Sequence, residues 1–292
     1  MEVHQSWWAM TGLGNGVREW TIEEKFEKIA ENGFTGILGR LPEPQFQEQW
    51  KSLLDRYHLT FAIHSFPDSR HSLSSLLKQA RQFGVQYVNS QVMDNLITGE
   101  NAVRLLSELT EEAAVHKLPL FIETHRGRIT QDLLRTAEYV KSLPSLRLTI
   151  DLSHYVLAGE IVEPEETNRL DPWFDTLLRR TSCIHGRVSN GQQIQIDVGI
   201  SGGHPMVQPF VSWWEKGMYY WLQDAEQGDV LPFVCELGPP PYGITEGLPS
   251  VELSDRWNQS LVFKKLAEKA WTEASGRGYF PNKSFHEKMA AE

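Results

Sequence analysis

Short, near-continuous apolar runs alternate with longer amphipathic stretches along most of the chain. Apolar runs of this length are typical of strands buried on both faces of a parallel sheet. The longer stretches have apolar residues at helical spacing, which predicts helices that pack one side on that sheet. We therefore predict eight strand–helix units. The predicted strands cover residues 3–8, 35–38, 60–66, 85–92, 118–124, 146–152, 182–188 and 231–237.

The boundaries of the first helix are visible in the sequence. Thr21 and Glu24 have the spacing of a capping box, and Asn32-Gly33 is a typical helix end. The other helices are predicted from their periodicity. They cover residues 46–57, 72–83, 101–116, 130–142, 172–180, 209–226 and 254–275.

Eight alternating units predict a single (β/α)8 TIM barrel, and 292 residues is a suitable length for one. An open doubly wound sheet is the main alternative. The first predicted strand is not followed by the G-x-G-x-x-G turn of dinucleotide-binding sheets, which disfavours that alternative. We assign residues 1–275 to the barrel and 276–292 to a polar C-terminal tail.

Ionisable residues end four consecutive predicted strands. Glu123 lies in FIETH, Asp151 in LTIDLSH, His185 in SCIHGR and Glu236 in FVCELGP. The active site of a parallel barrel lies at the carboxyl ends of its strands, so these side chains should converge.

Three carboxylates packed together need a positive counter-charge, because their repulsion would otherwise protonate at least one of them. A divalent cation is the simplest counter-charge, and three oxygen donors with one imidazole suit several such ions. The alternative is a buried ion-pair cluster with Arg126, Arg128 or Arg187.

The segments IETH, DLSH, IHGR and VCELGPPPY resemble the metal-site strands of the xylose isomerase-like barrel superfamily. This superfamily includes sugar isomerases, ketose 3-epimerases, inosose dehydratases and endonuclease IV, and the resemblance covers about half of the chain. It implies one divalent metal ion, with Mn²⁺ as the first candidate and Mg²⁺, Co²⁺ and Zn²⁺ as alternatives. The implied ligands are Glu123, Asp151, His185 and Glu236.

Several other residues are candidates for contacts with substrate. The resemblance places His154 and Arg187 beside the ligands or the substrate. His125 lies two residues after Glu123 and is either a general acid or base or a loop residue. His64 is predicted to line the barrel mouth, whereas we expect His4 to be a core residue.

The tryptophan pair Trp7 and Trp8 suits the apolar face of a sugar ring, although core packing explains such residues equally well.

The resemblance implies a metal-dependent isomerase or epimerase that transfers the α-proton of a ketose or keto-sugar through an enediolate. Glu123 and Glu236 would remove the proton and return it. One alternative is a lyase or dehydratase that eliminates from a 3-keto-glycoside or an inosose, with help from His125 or His154. Another is a non-catalytic sugar-binding protein. The stretch HGRVSNG lacks the longer His-x-x-Glu-x-x-Arg pattern of ketose epimerases, so the substrate contacts should differ.

Composition limits the partners. A net charge of −10 argues against nucleic acid, and predicted strand four offers Asn89, Ser90 and Gln91 instead of the extra zinc ligands of a three-zinc DNA site. No signal peptide or membrane span is visible, so we expect a cytoplasmic protein. Cys183 and Cys235 are predicted to be buried hydrophobic residues.

A homo-oligomer is compatible with the sequence. The lack of a glycine-rich phosphate loop favours an unphosphorylated sugar.

Overall fold

Eight parallel strands form a closed barrel in a computed structural model that describes residues 1–247 and 251–277. The strands are β1 Glu2–Ser6, β2 Gly36–Gly39, β3 Thr60–Ser65, β4 Val88–Ser90, β5 Leu120–Glu123, β6 Leu148–Ile150, β7 Thr181–Gly186 and β8 Pro232–Cys235. Each strand pairs with the next along the chain, and β1 also pairs with β8. The predicted single (β/α)8 TIM barrel is therefore confirmed.

The helices lie between the strands and outside the barrel. They are α1 Ile22–Glu31, α2 Gln47–Tyr57, α3 Arg70–Phe83, α4 Gly99–His116, α5 Leu133–Ser142, α6 Ser153–Ala158, α7 Asp171–Leu178, α8 Val207–Asp224 and α9 Arg256–Gly276. The predicted capping box of α1 is present, with the Thr21 hydroxyl accepting from the Glu24 amide. No helix in the described ranges is long and apolar enough to cross a membrane. Residues 278–292 of the predicted tail lie outside the described residues.

Besides the 3-10 segments Trp8–Met10 and Pro44–Phe46, three short elements were not predicted from the sequence. One is α6, which begins two residues after Asp151, and another is the 3-10 segment Pro164–Leu170. The third is a two-stranded antiparallel hairpin after β8, formed by β9 (Thr245–Glu246) and β10 (Val251–Glu252). Elements of two to seven residues complete too few turns or alternations to show a period, so hydrophobic patterning cannot find them.

Side chains alternate along each strand, and this alternation produces two hydrophobic cores, one inside the barrel and one between the barrel and the helices. In β7, Cys183 faces the barrel interior, Ile184 packs outward on the helices, and His185 faces inward again. Because side chains alternate in a strand, each inward position two residues further along lies one layer higher in the barrel. The inner layer is apolar, and its residues are Leu38, Ala62, Tyr87, Cys183 and Val234. Both cysteines are buried and unbridged, as predicted.

Candidate metal centre

The four predicted ligands form one cluster at the carboxyl ends of β5 to β8. Glu123, Asp151, His185 and Glu236 each place one ligand atom within 4.8 Å of the others. All four are at most 2% exposed. They occupy the inward positions directly above the apolar inner layer, so the strand alternation explains their convergence.

Several atoms in this cluster have no hydrogen-bond partner among the described residues. They are Asp151 Oδ2, both ring nitrogens of His185, and Glu236 Oε2. His185 Nδ1 lies 2.5 Å from Glu236 Oε2, but without hydrogen-bond geometry. Buried polar atoms are nearly always hydrogen-bonded, so a group of unbonded carboxylate oxygens and ring nitrogens fits a cation site, even with the Arg187 guanidinium 3.2 and 3.0 Å from the two oxygens.

The remaining carboxylate oxygens are held in place by neighbouring polar groups. Asn89 and Gln91, at the end of β4, donate side-chain amides to Glu123, at 2.5 Å and at 3.1 and 3.2 Å respectively. The backbone amide of Ser153 donates to Asp151 Oδ1 at 3.1 Å, and its hydroxyl donates to the same atom. Supporting hydrogen bonds of this kind orient the ligands of metal sites.

Arg187 is a further member of the cluster. Its guanidinium lies 3.2 Å from Asp151 Oδ2 and 3.0 Å from Glu236 Oε2. Of the three arginines predicted as possible ion-pair partners, Arg187 does pair with these carboxylates. Arg126 and Arg128 do not. With His185 neutral, as an imidazole ligand is, three carboxylates and one guanidinium leave two negative charges, which is the charge that one divalent cation balances.

Burial and mutual repulsion shift the pKa values within the cluster. Burial raises the pKa of Glu123 to about 7, although His185 acts against it. Burial alone would lower the pKa of His185, but Glu236 and Glu123 raise it well above its ordinary value. His185 and Arg187 outweigh burial and hold the pKa of Glu236 well below its usual range. The protein side chains alone therefore favour extra protons here, as expected for a cluster that lacks sufficient positive charge.

A divalent cation fits this set of donors. The orphaned oxygens and imidazole nitrogens are atoms that ligate Mn²⁺, Mg²⁺, Co²⁺ or Zn²⁺. A second group, Glu123, His125 and His154, also places ligand atoms within 4.8 Å. However, this group has one carboxylate where the first cluster has three, so it offers much less negative charge to offset the Arg187 guanidinium, which lies 3.3 Å from His154 Nε2. The geometry favours one cation, held by the cluster of four.

The cluster of four opens into a cavity of about 730 Å³ at the mouth of the barrel. Of its four members, only Glu236 lines the cavity. The predicted substrate contacts that line it are His64, His125, Arg187, Trp7 and Trp8. His154 does not line the cavity. It is fully buried on α6, and its ring packs on that of His125 with the centroids 3.9 Å apart.

The two tryptophans have different surroundings. Trp7 packs on Trp50, with the ring centroids 4.5 Å apart, and also on Phe26, so it is largely a core residue. Trp8 meets Tyr242 edge-on, with the ring centroids 5.0 Å apart, and the Arg187 guanidinium lies 5.1 Å from the Tyr242 ring centroid. Trp8 and Tyr242 thus form an aromatic wall of the cavity.

Several residues that line the cavity were not predicted from the sequence. Gln91 is one of them, and it donates to Glu123. Its inward position, two residues after Asn89, is the signal that identifies it. Tyr242, Arg40 and Arg128 lie in loops, where no periodicity shows which way a side chain points.

Comparisons with known proteins agree with the barrel fold. A family profile described as "Xylose isomerase-like TIM barrel" matches residues 26–186. A comparison with curated proteins finds no match.

Three solved structures are similar over most of the chain. A xylose isomerase-like TIM barrel protein from Mycobacterium smegmatis, in complex with magnesium, has a TM-score of 0.61 and 12% identity, and covers 94% of this chain and 98% of its own. An L-ribulose 3-epimerase has a TM-score of 0.59 and 11% identity, with 94% and 96% covered. The probable 3-DHS dehydratase AsbF from Bacillus anthracis has a TM-score of 0.57 and 14% identity, with 91% and 98% covered. At these identities the similarity shows the fold alone.

Proposed function

The chain belongs to the xylose isomerase-like TIM barrel family, and on this premise we propose that it is a metal-dependent sugar isomerase or epimerase. Its substrate is a ketose or keto-sugar, and the reaction moves the proton on the carbon next to the carbonyl. One observation carries the proposal. Glu123 and Glu236, on the non-adjacent strand ends of β5 and β8, share one buried cluster at the bottom of a cavity.

Glu123, Asp151, His185 and Glu236 would hold the cation, with Mn²⁺ as the first candidate. When bound, the cation supplies positive charge beside the substrate oxygen on which negative charge develops. Asn89 and Gln91 keep the Glu123 carboxylate oriented through their amide bonds. Arg187 keeps Glu236 ionised, since its guanidinium lies 3.0 Å from Oε2.

The two glutamates divide the proton transfer between them. One carboxylate removes the α-proton, and the electrons of the broken C–H bond move towards the carbonyl oxygen. Return of a proton to the same carbon from the opposite face gives the epimer. Return to the former carbonyl carbon, with a hydroxyl proton moving between the two oxygens, gives the isomer. Glu236 reaches the cavity directly, whereas Glu123 lies beneath Gln91.

The other lining residues would orient the sugar. His64 and His125 are neutral at physiological pH, because burial lowers their pKa to about 4 and about 3. Neutral imidazoles exchange hydrogen bonds with hydroxyl groups without adding charge. Trp8 and Tyr242 offer aromatic surface for the apolar face of a sugar ring.

Exchange of the α-proton tests the proposal. The Mn²⁺-loaded protein should transfer deuterium from D₂O into the α-carbon of at least one ketose, measured by NMR over a panel of pentuloses and hexuloses. Glu123→Gln and Glu236→Gln should each lower the rate by at least about 100-fold, because a positioned general base contributes that much. The exposed Glu48→Gln is the matched control and should keep the wild-type rate. Full exchange in both site variants would contradict the proposal.

Elimination from a 3-keto-glycoside is a second candidate. It is favoured by His125, which lines the cavity beside the cluster; its Nδ1 donates to the Arg126 carbonyl, so the neutral ring offers Nε2 as an additional base. Glu123, Glu236 or His125 would remove the α-proton, the C–O bond to the aglycone would break with the electrons leaving on oxygen, and the proton just removed would pass to that oxygen. Product analysis separates the two reactions: release of the aglycone from a 3-keto-glycoside, without epimerisation of free ketoses, supports elimination.

A further inference from the structure

Two arginines at the mouth of the cavity have no acidic partner in the described part of the chain. Arg40 follows β2 directly, and Arg128 lies in the loop between β5 and α5. Both line the cavity. Neither guanidinium lies within 4.0 Å of a described carboxylate oxygen. In a protein with a net charge of −10, two such cations at one opening need an explanation.

The other charged residues of the lining are already engaged. Lys25 pairs with Glu19 at 2.5 Å, and Arg187 pairs with the metal cluster. The acidic Glu43 accepts a hydrogen bond from Gln45 and pairs with neither arginine of the mouth. The charge at the cavity opening is therefore unbalanced and positive.

The two arginines are positioned by an aromatic ring instead of a carboxylate. Arg40 Cζ lies 5.1 Å and Arg128 Cζ 5.4 Å from the ring centroid of Phe66, which follows β3. Cation–π contacts hold a guanidinium in place and leave its N–H donors unused. Apart from one bond of 3.2 Å from Arg128 Nη1 to the Met93 carbonyl, these donors stay free within the described residues.

A short chain of contacts connects this pair to the metal cluster. The Phe66 ring stacks on His64 with the centroids 6.4 Å apart, and His64 Nε2 lies 3.7 Å from Glu236 Oε1. Both ends are part of the same 730 Å³ cavity, a volume within the range of about 300–1,000 Å³ that is typical of small-molecule sites. One ligand can therefore contact the cluster and the arginines together.

We propose that Arg40 and Arg128 bind an anionic group, a carboxylate or a phosphate, on the substrate molecule. The free guanidinium donors match the paired oxygens of either group. The inference rests on the proposed function for the carbonyl end, which lies at the cluster. It adds that the substrate is an anionic keto-sugar, a sugar acid or a sugar phosphate, instead of a neutral one.

Calorimetric titration of the Mn²⁺-loaded protein tests this inference. D-fructose, D-fructuronate and D-fructose 6-phosphate are matched probes, because the last two carry a carboxylate or a phosphate at C6. We expect at least one anionic probe to bind at least about 10-fold more tightly than D-fructose. The tighter of the two anionic probes identifies the group.

Substitutions of Arg40 and Arg128 test whether these two residues cause the tighter binding of the anionic probe. Arg40→Gln/Arg128→Gln should remove the preference, and Arg40→Lys/Arg128→Lys should keep part of it through the retained charge. Arg56→Gln/Arg104→Gln, two exposed positions outside the cavity, makes the same change in net charge and should keep the full preference. Thermal unfolding checks that all the variants are folded.

The outcomes separate the two proposals. If neither anionic probe binds more tightly than D-fructose, or if the preference survives in Arg40→Gln/Arg128→Gln, the inference is wrong, whatever the turnover. If the arginine-dependent preference is present but no ketose or keto-sugar acid exchanges its α-proton, the inference stands and the proposed function is wrong.

Discussion

His4 and His185 have the same burial and the same orientation, but opposite surroundings. Each is fully buried at an inward-facing position, His4 on β1 and His185 on β7. The Nε2 atom of His4 lies 3.0 Å from a Glu2 carboxylate oxygen, and its Nδ1 lies 3.4 Å from the Tyr87 hydroxyl. Neither nitrogen of His185 has a hydrogen-bond partner in the described ranges.

This difference distinguishes a histidine whose nitrogens are satisfied by protein neighbours from a candidate metal ligand. Leaving a buried polar atom unpaired costs about 1–3 kcal/mol, so a fold normally satisfies it as it does for His4. Unpaired atoms facing a cluster of carboxylates are instead explained by a cation that provides the missing interaction. Burial alone therefore does not distinguish a candidate metal ligand from a structural histidine, whereas the hydrogen bonding of each ring nitrogen does.

The largest expected effect is on cation binding. His185→Ala removes one of four ligands and should weaken Mn²⁺ binding by at least about 100-fold, since even changes to supporting residues cost 10–100-fold. His4→Ala should leave Mn²⁺ affinity within about threefold of wild type, because His4 contacts no member of the cluster. Titration calorimetry of protein first stripped with a chelator measures both. Equal losses in the two variants would show that His185 contributes no more to Mn²⁺ binding than His4 does.

The next effect is on stability. His4→Ala should lower the free energy of unfolding by about 2–4 kcal/mol, because it leaves a cavity and removes one of the two partners of the Tyr87 hydroxyl, the other being the Cys183 sulfur. Urea unfolding in the presence of a chelator measures it without a contribution from the cation. The exposed His71→Ala is the control and should change stability by less than about 0.5 kcal/mol. A His4→Ala protein as stable as this control would show that the network around His4 is not structural.

The smallest effect concerns pH. Hydrogen bonds from His4 and Thr60 outweigh the effect of burial and lower the pKa of Glu2 below its ordinary value of 4.5. A depressed carboxyl pKa stabilises the fold above pH 4.5, and this contribution is lost as the pH falls through the folded-state pKa. Glu2 is partly exposed, so the contribution is under about 1 kcal/mol.

Glu2→Gln should therefore be less stable than wild type at pH 7, and the difference should shrink as the pH falls below about 4. Urea midpoints measured across this range give the comparison. A difference that stays constant or widens on acidification would show that the Glu2 carboxylate is not stabilised by these partners.

Much of the fold was predictable because it depends on local patterns. Eight apolar runs separated by helical stretches predicted the barrel. They also predicted which strand end carries each of the clustered residues Glu123, Asp151, His185 and Glu236. Parallel strands that close into a barrel leave their carboxyl ends at one rim, so the order of elements by itself brings strand-end residues together. Helix α6 escaped prediction because six residues are too few to show a period.

The sequence by itself determined the barrel and the four residues at its strand ends, since both follow from periods of two and 3.6 residues. Only the tertiary structure decided what surrounds them. In the folded protein, Arg187 pairs with Asp151 and Glu236, and Gln91 donates a hydrogen bond to Glu123. His154 lies on α6 and does not line the cavity. The tertiary structure also brings Arg40, Phe66 and Arg128 together from three loops at one opening. Loop conformations depend on contacts with distant parts of the chain, and these leave no periodic trace in the sequence.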